Sequence, residues 1–270
     1  MRITLYTLAL GLRSRFHKAN KNIMKRLTVL YLLAIFLSFH TFAAEDSEKS
    51  LSQMRSYTAC LNCDLSGVDL SRSFLHQSSL RGSQLVGADL RWSYFEEVNL
   101  RRANLKGADL RHTVLNKVDM RNANLSNADL DNAQFIDVDL AGSTMRNAYA
   151  SNADLSNSIF DNTNLSETDF SDSKLSGVQM RSVYMNGAIF VGSDLSNAVL
   201  ASAKMRDVDL SGANLKGAIL RNADLTSAEL TDADLTTADL SPNTKLDGAI
   251  FCRTLTPWGC LLYTSPSPRD

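Results

Sequence analysis

From Leu65 to Leu240 every fifth residue is large and apolar: of 36 such positions 25 are Leu, five Phe, five Met, and one is Ala150. Two residues before each stands a small or β-branched residue: Ala at 17 positions, Ser at eight, Val at seven, Thr at three, and Cys63. The residue between the two is often Asp or Asn, as in Ala88-Asp89-Leu90 and Ala213-Asn214-Leu215. A period of five fits neither an amphipathic helix nor a half-buried strand. The chain must turn after each five residues if both apolar positions are to face inward. That turn is marked: every Gly between residues 60 and 240, from Gly67 to Gly217, falls two places after the large apolar position. Of the 35 such positions from 67 to 237, 23 are Gly, Asn or Asp, residues that suit tight turns and tolerate unusual backbone angles. Pro is absent before Pro242, as expected where backbone N–H groups are used in ladders.

The pattern Ala/Ser-Asp/Asn-Leu-X-Gly/Asn, unbroken from 65 to 240, resembles the pentapeptide-repeat family over residues 60–251. The resemblance implies an all-β fold, a right-handed quadrilateral parallel β-helix (solenoid) with one repeat per face. It would have about nine coils of about 20 residues, stacked into a rod about 43 Å long at the strand spacing. Each buried Leu, Phe or Met contributes about 1.5–3 kcal/mol, which outweighs chain entropy once coils stack. Phe95, Phe135, Phe160, Phe170 and Phe190 are then core wedges, and Ala150 leaves a small gap that a neighbour such as Met145 can fill.

The segments outside the repeat read differently. Residues 1–43 carry seven Lys/Arg and no Asp/Glu. Within them Met24-Lys25-Arg26 precedes an apolar run from Leu27 to Phe39, then Thr41 and Ala43 stand before polar Glu45-Asp46. This is the layout of a secretory signal peptide with cleavage after Ala43 and a start at Met1 or Met24. The apolar run is short for a membrane span, so membrane contact is expected only where the segment stays uncleaved. The chain is therefore expected to be exported, periplasmic or extracellular. Residues 44–59 read as a cap over the first coil and 252–270 as a C-terminal tail, in which 260–270 follow no pattern of the chain and read as foreign sequence. After Leu240 the phase slips by one across Pro242 to Leu246 and Phe251. Cys60 and Cys63 occupy two inward positions of the first repeat. Such a pair can be redox-active, half of a zinc site, or structural, reduced or disulfide-bonded; the structural reading is favoured because no second Cys/His pair has metal spacing. The run Cys60-Leu-Asn-Cys-Asp-Leu-Ser-Gly67 is similar to the starts of exported family members.

Charge changes the picture outside the core. Residues 44–270 hold 21 basic and 29 acidic residues, a net of −8. Residues 72–121 hold nine Lys/Arg against five Asp/Glu, whereas 129–172 hold one against nine. With about 20 residues per coil, Arg72, Trp92 and His112 form one outward column and Phe74, Tyr94 and Val114 its neighbour. Arg91 with Arg111, and Arg81, Arg101 with Arg121, flank them. Stacked arginines repel unless they splay or meet an anion. These residues are the candidate interaction patch, fitted to a protein or an anionic envelope polymer, against the simpler reading of arginine stems covering aromatic surface. Ile159, Val199 and Ile219, interrupted by Gln179, are a candidate self-association stripe for a homo-oligomer.

No catalytic set emerges: His76 and His112 stand nearly two coils apart, and the many aspartates recur because the repeat recurs. No cofactor, metal or nucleic-acid partner is expected. The reading is an exported scaffold of the cell envelope without catalysis. One alternative follows from the resemblance, whose quinolone-resistance members are acidic rods that mimic DNA and bind gyrase. Another is a β-helix carbohydrate-active enzyme with paired carboxylates.

Overall fold

The computed structural model describes residues 59–261, with side chains through Gly259. The expected signal segment, the cap except Ala59, and residues 262–270 lie outside the described residues. The described part is a right-handed quadrilateral parallel β-helix. Among these residues no helix is long and apolar enough to cross a membrane.

The five-residue period becomes a face and a corner. The large apolar residue and the small residue two before it point inward, and from Leu65 to Leu235 the large positions are buried throughout. The residue between them points out and pairs with its equivalent one coil on, from Ala59↔Ser79 to Ile219↔Asp239, a register of 20 residues. The Leu65 N–H donates to the Gln84 carbonyl (2.7 Å), the Gly67 N–H to Val86 (2.8 Å), and the Gln84 N–H back to Cys63 (2.8 Å). Backbone polarity is thus spent between coils, in keeping with a period unbroken from Leu65 to Leu240. Inward threonines add bonds to the preceding coil: Thr113 Oγ1 donates to the Leu90 carbonyl (2.9 Å) and Thr168 Oγ1 to Met145 (2.7 Å).

The corners need left-handed backbone. Residues two past each large position have positive φ from Asn62 (54°) to Asp232 (60°). At Gly142 (φ 70°) an added Cβ would also come within 2.8 Å of Asn122 Oδ1 in the coil before. The recurrent Asp or Asn has a structural task there. Its side chain accepts the corner N–H two residues on, as Asp64 does from Ser66 (3.0 Å) and Asn124 from Ser126 (3.1 Å), so it stabilises the turn in the manner of an Asx-turn.

One face departs from the repeated tight corner. It carries four short parallel strands, β1 (Phe74–His76), β2 (Tyr94–Glu96), β3 (Val114–Asn116) and β4 (Gln134–Ile136), hydrogen-bonded in that order. Ser78, Val98, Val118 and Val138 end these corners. Val68 and Val178 end closed ones, where their N–H groups donate to Leu65 (3.2 Å) and Leu175 (3.3 Å), so a β-branched residue at this position does not itself open the turn. Elsewhere the corner closes, as where the Ala88 N–H donates to Leu85 (3.1 Å). Where β4 meets the next, closed corner, a shallow cavity of about 240 Å³ lies between Ile136, Asp137, Asp154 and Asn157.

The expected phase slip is present: bridges span 21 residues from Asp224↔Lys245 to Asp234↔Leu255. The chain then forms an antiparallel hairpin of β5 (Thr254–Thr256) and β6 (Gly259–Leu261). Cys260 and Leu261, the first residues of the stretch read as foreign, are its second strand. Ala150 is fully buried, between Leu130 and Phe170 in its column, and Phe170 stacks on Phe190 at 5.0 Å.

Candidate functional site

The two aromatic columns assemble as the register requires. Phe74, Tyr94 and Val114 are successive partners across β1, β2 and β3. The Phe74 and Tyr94 rings stack with centroids 5.4 Å apart, and His76 Nδ1 lies 3.1 Å from Glu96 Oε2. Around the corner, Trp92 and His112 stack at 3.9 Å with 14° between planes. Arg72, Trp92 and His112 sit at corner positions with φ of 58°, 60° and 58°, unusual backbone for bulky side chains. Trp92 remains 58% exposed. The rings stack along the rod axis, so the columns turn ring faces toward each other and edges toward solvent.

The flanking arginines behave differently from the expected positive border. Arg91 makes a forked bond to Asp89 (Nε–Oδ1 2.9 Å, Nη2–Oδ2 2.5 Å) and lies 3.4 Å from Asp109 in the next coil. Arg111 repeats this with Asp109 (2.6 Å) and Asp129 (3.3 Å), and Arg121 with Asp119 (2.5 Å) and Asp139 (3.4 Å). The Arg91 hydrogen bond holds the Asp89 carboxyl below its ordinary range. The stacked arginines have met anions, but those of their own chain. Burial, then nearby Asp129, raises the carboxyl of Asp131 at the lower end of this column.

Sequence reasoning named the arginines and missed their partners. The signal was present in Asp89-Leu90-Arg91, Asp109-Leu110-Arg111 and Asp119-Met120-Arg121, which place each carboxylate beside the next guanidinium on one face. Cations without a carboxylate partner among the described residues are Arg72, Arg81, Arg102, Lys106, Lys117 and Lys204, while Arg101 has a long contact of 3.9 Å to Asp119. Arg81, Arg101, Arg102 and Lys106 gather away from the aromatic columns, beside a ladder of side-chain amides. There Asn124 donates to Asn104 (3.2 Å) and Asn104 to Gln84 (2.8 Å).

The remaining candidates are placed as follows. Cys60 and Cys63 are joined as a disulfide across the first corner, with Cα atoms 5.5 Å apart. Ile159, Gln179, Val199 and Ile219 are successive partners in one column, with Ile159 38% exposed and Val199 and Ile219 half-buried. Tyr149 and Tyr184 are exposed in outward columns that the sequence reading did not single out. Among the described residues no group of His, Cys, Asp and Glu has the arrangement of a metal site.

This geometry is that of a stacked-repeat rod, and the family comparison agrees. The family of pentapeptide repeats matches in eight copies over residues 60–241. The chain belongs to the pentapeptide-repeat family. Similar solved structures include HetL, a pentapeptide-repeat protein involved in heterocyst differentiation regulation from the cyanobacterium Nostoc sp. strain PCC 7120 (25% identity, 82% of this chain and 100% of that one, TM-score 0.42). Another is full-length QnrB1, a plasmid-mediated fluoroquinolone resistance protein (22% identity, 71% and 92%, TM-score 0.45). A third is a pentapeptide-repeat protein from the thylakoid lumen of Arabidopsis thaliana (21% identity, 64% and 79%, TM-score 0.20). A search of curated proteins found no match.

Proposed function

We propose that this chain is an exported, non-catalytic interaction rod of the cell envelope. The observation that carries the reading is the register: from Ala59 to Asp239 outward residues recur every 20 positions. A rigid backbone thereby holds fixed linear arrays of side chains about 4.8 Å apart. Such arrays suit recognition of an extended or repetitive partner, as concave and flat solenoid faces do generally. The carboxylates that an enzymatic reading would need are occupied with corner N–H groups and arginines, as at Asp89, Asp109 and Asp119. Export is supported by the basic-then-apolar segment from Met24 to Ala43, and the Cys60–Cys63 disulfide suits an oxidising compartment.

Crosslinking of a tagged chain in intact cells tests the reading. Adducts with envelope polymers or envelope proteins are expected. Adducts with gyrase, together with protection of gyrase in a supercoiling assay, would overturn it in favour of a DNA-mimicking role.

A further inference from the structure

We infer that the corner and face holding Arg81, Gln84, Arg101, Arg102, Asn104 and Lys106 are a docking strip for an acidic polysaccharide. The inference rests on the interaction-rod reading and names the surface and its partner. Two adjacent coils build the strip. Arg81 and Arg101 occupy equivalent corner positions, Arg102 follows in the left-handed backbone of the corner (φ 58°), and Gln84 and Asn104 pair on the adjoining face. Lys106 stands at the far corner. Arg81, Arg102 and Lys106 have no carboxylate partner among the described residues, and Arg101 has only the 3.9 Å contact to Asp119. The neighbouring carboxylates are engaged: Asp64 accepts from Ser66, Asp119 is held in a fork by Arg121, and Asp89 and Asp109, on the face after the Lys106 corner, are held by Arg91 and Arg111.

Charge complementarity therefore calls for an anionic occupant here, and not at the aromatic columns, where Arg91 and Arg111 are already paired. The amides specify what kind. Asn124 donates to Asn104 and Asn104 to Gln84, so the ladder is directional and the Gln84 amide N–H₂ at its end is left to donate outward. Guanidinium forks match carboxylates, and side-chain amides match hydroxyls. A partner carrying both along a line is a uronic-acid-type polymer, and the coil rise of about 4.8 Å is close to the length of one pyranose unit. A DNA duplex fits less well, because its phosphate backbones are separated by grooves of about 6 and 12 Å and two coils reach one backbone only.

The test is retardation of the full chain in native gels containing polygalacturonate, with neutral dextran as the blank and duplex DNA and anionic phosphatidylglycerol vesicles as competitors. Retardation by polygalacturonate and none by dextran is expected. The variant R81Q/R101Q/R102Q/K106Q should bind at least about tenfold more weakly. R146Q/K174Q/K204Q/K216Q, which removes the same charge elsewhere on the rod, should stay within about twofold of the parent. Thermal unfolding checks that both variants fold, and Arg102→Gln alone, expected to weaken binding several-fold, serves if the fourfold variant does not. No retardation of the parent, equal loss in both fourfold variants, or tighter binding of DNA or vesicles than of polygalacturonate would overturn the strip. Compartment is measured independently: a cytoplasmic chain that still binds polygalacturonate removes export and leaves the strip standing.

Discussion

Trp92 occupies a corner position where Gly, Asn or Asp is the usual occupant, with φ at 60°. Left-handed backbone costs a residue with a Cβ about 1–2 kcal/mol, and the stack on His112 at 3.9 Å returns about 0.5–1.5 kcal/mol. The two nearly cancel. Trp92→Asn, which suits the corner but cannot stack, is therefore expected to change unfolding free energy by less than about 1 kcal/mol in urea titration. A loss above about 2 kcal/mol would mean that the stack is a structural anchor. The inward and outward sense of each residue was legible from spacing alone, so Trp92, His112, Phe74 and Tyr94 were correctly placed in neighbouring columns. What was not legible was the ring orientation and the reach of Arg91 to Asp109 in the next coil. Both depend on the side-chain rotamers that a coil rise of about 4.8 Å permits, not on the period.

At the scale of the coil, cohesion between neighbours comes from ladder bonds reinforced by ion pairs that cross from an outward carboxylate to a cation of an adjacent coil, as Arg91 does to Asp109 and Arg111 to Asp129. Most are half-exposed and contribute little individually. Asp224 is different: it is buried, 3% exposed, and bonds Thr226 and Arg206 (2.8 Å) with Lys245 at 3.7 Å. The Thr226 hydrogen bond first, and Arg206 beside it, hold its carboxyl down at about 2. A depressed folded pKa contributes stability that is present above the unfolded carboxylate range, near 3.8, and is lost as pH falls through about 2. Asp224→Asn is expected to flatten the fall in stability between those two values, measured by urea unfolding at a series of acid pH values. An unchanged acid limb would show that Asp224 does not couple the coils. The open corners of β1 to β4 were not foreseen. Their sequences keep the five-residue period, and the residues that end them, Ser78, Val98, Val118 and Val138, belong to the same small or β-branched class as those of closed corners, Val68 and Val178 among them.

Across the whole rod, each coil contacts only its neighbours, so stability accumulates coil by coil. Removing residues 161–180 deletes one full coil and rejoins equivalent positions; the product is expected to fold with the same β spectrum and a lower Tm. Removing Ser166 and Glu167 alone shifts every later residue out of phase and turns polar positions inward, so it should cost more than the coil deletion in a thermal melt. The reverse order would contradict a stack of interchangeable coils. The five-residue pattern carried the architecture because it is a property of every repeat. Function was less legible because the cations of the proposed strip, at 81, 101, 102 and 106, are set apart from the other cations only by which neighbouring charges are already paired. The interaction-rod reading depends first on where the rod resides. N-terminal sequencing of the tagged chain recovered from the envelope and extracellular fractions tests it most directly. A mature chain beginning at Ala44 in those fractions is the predicted result; a cytoplasmic chain that retains residues 24–43 would contradict it.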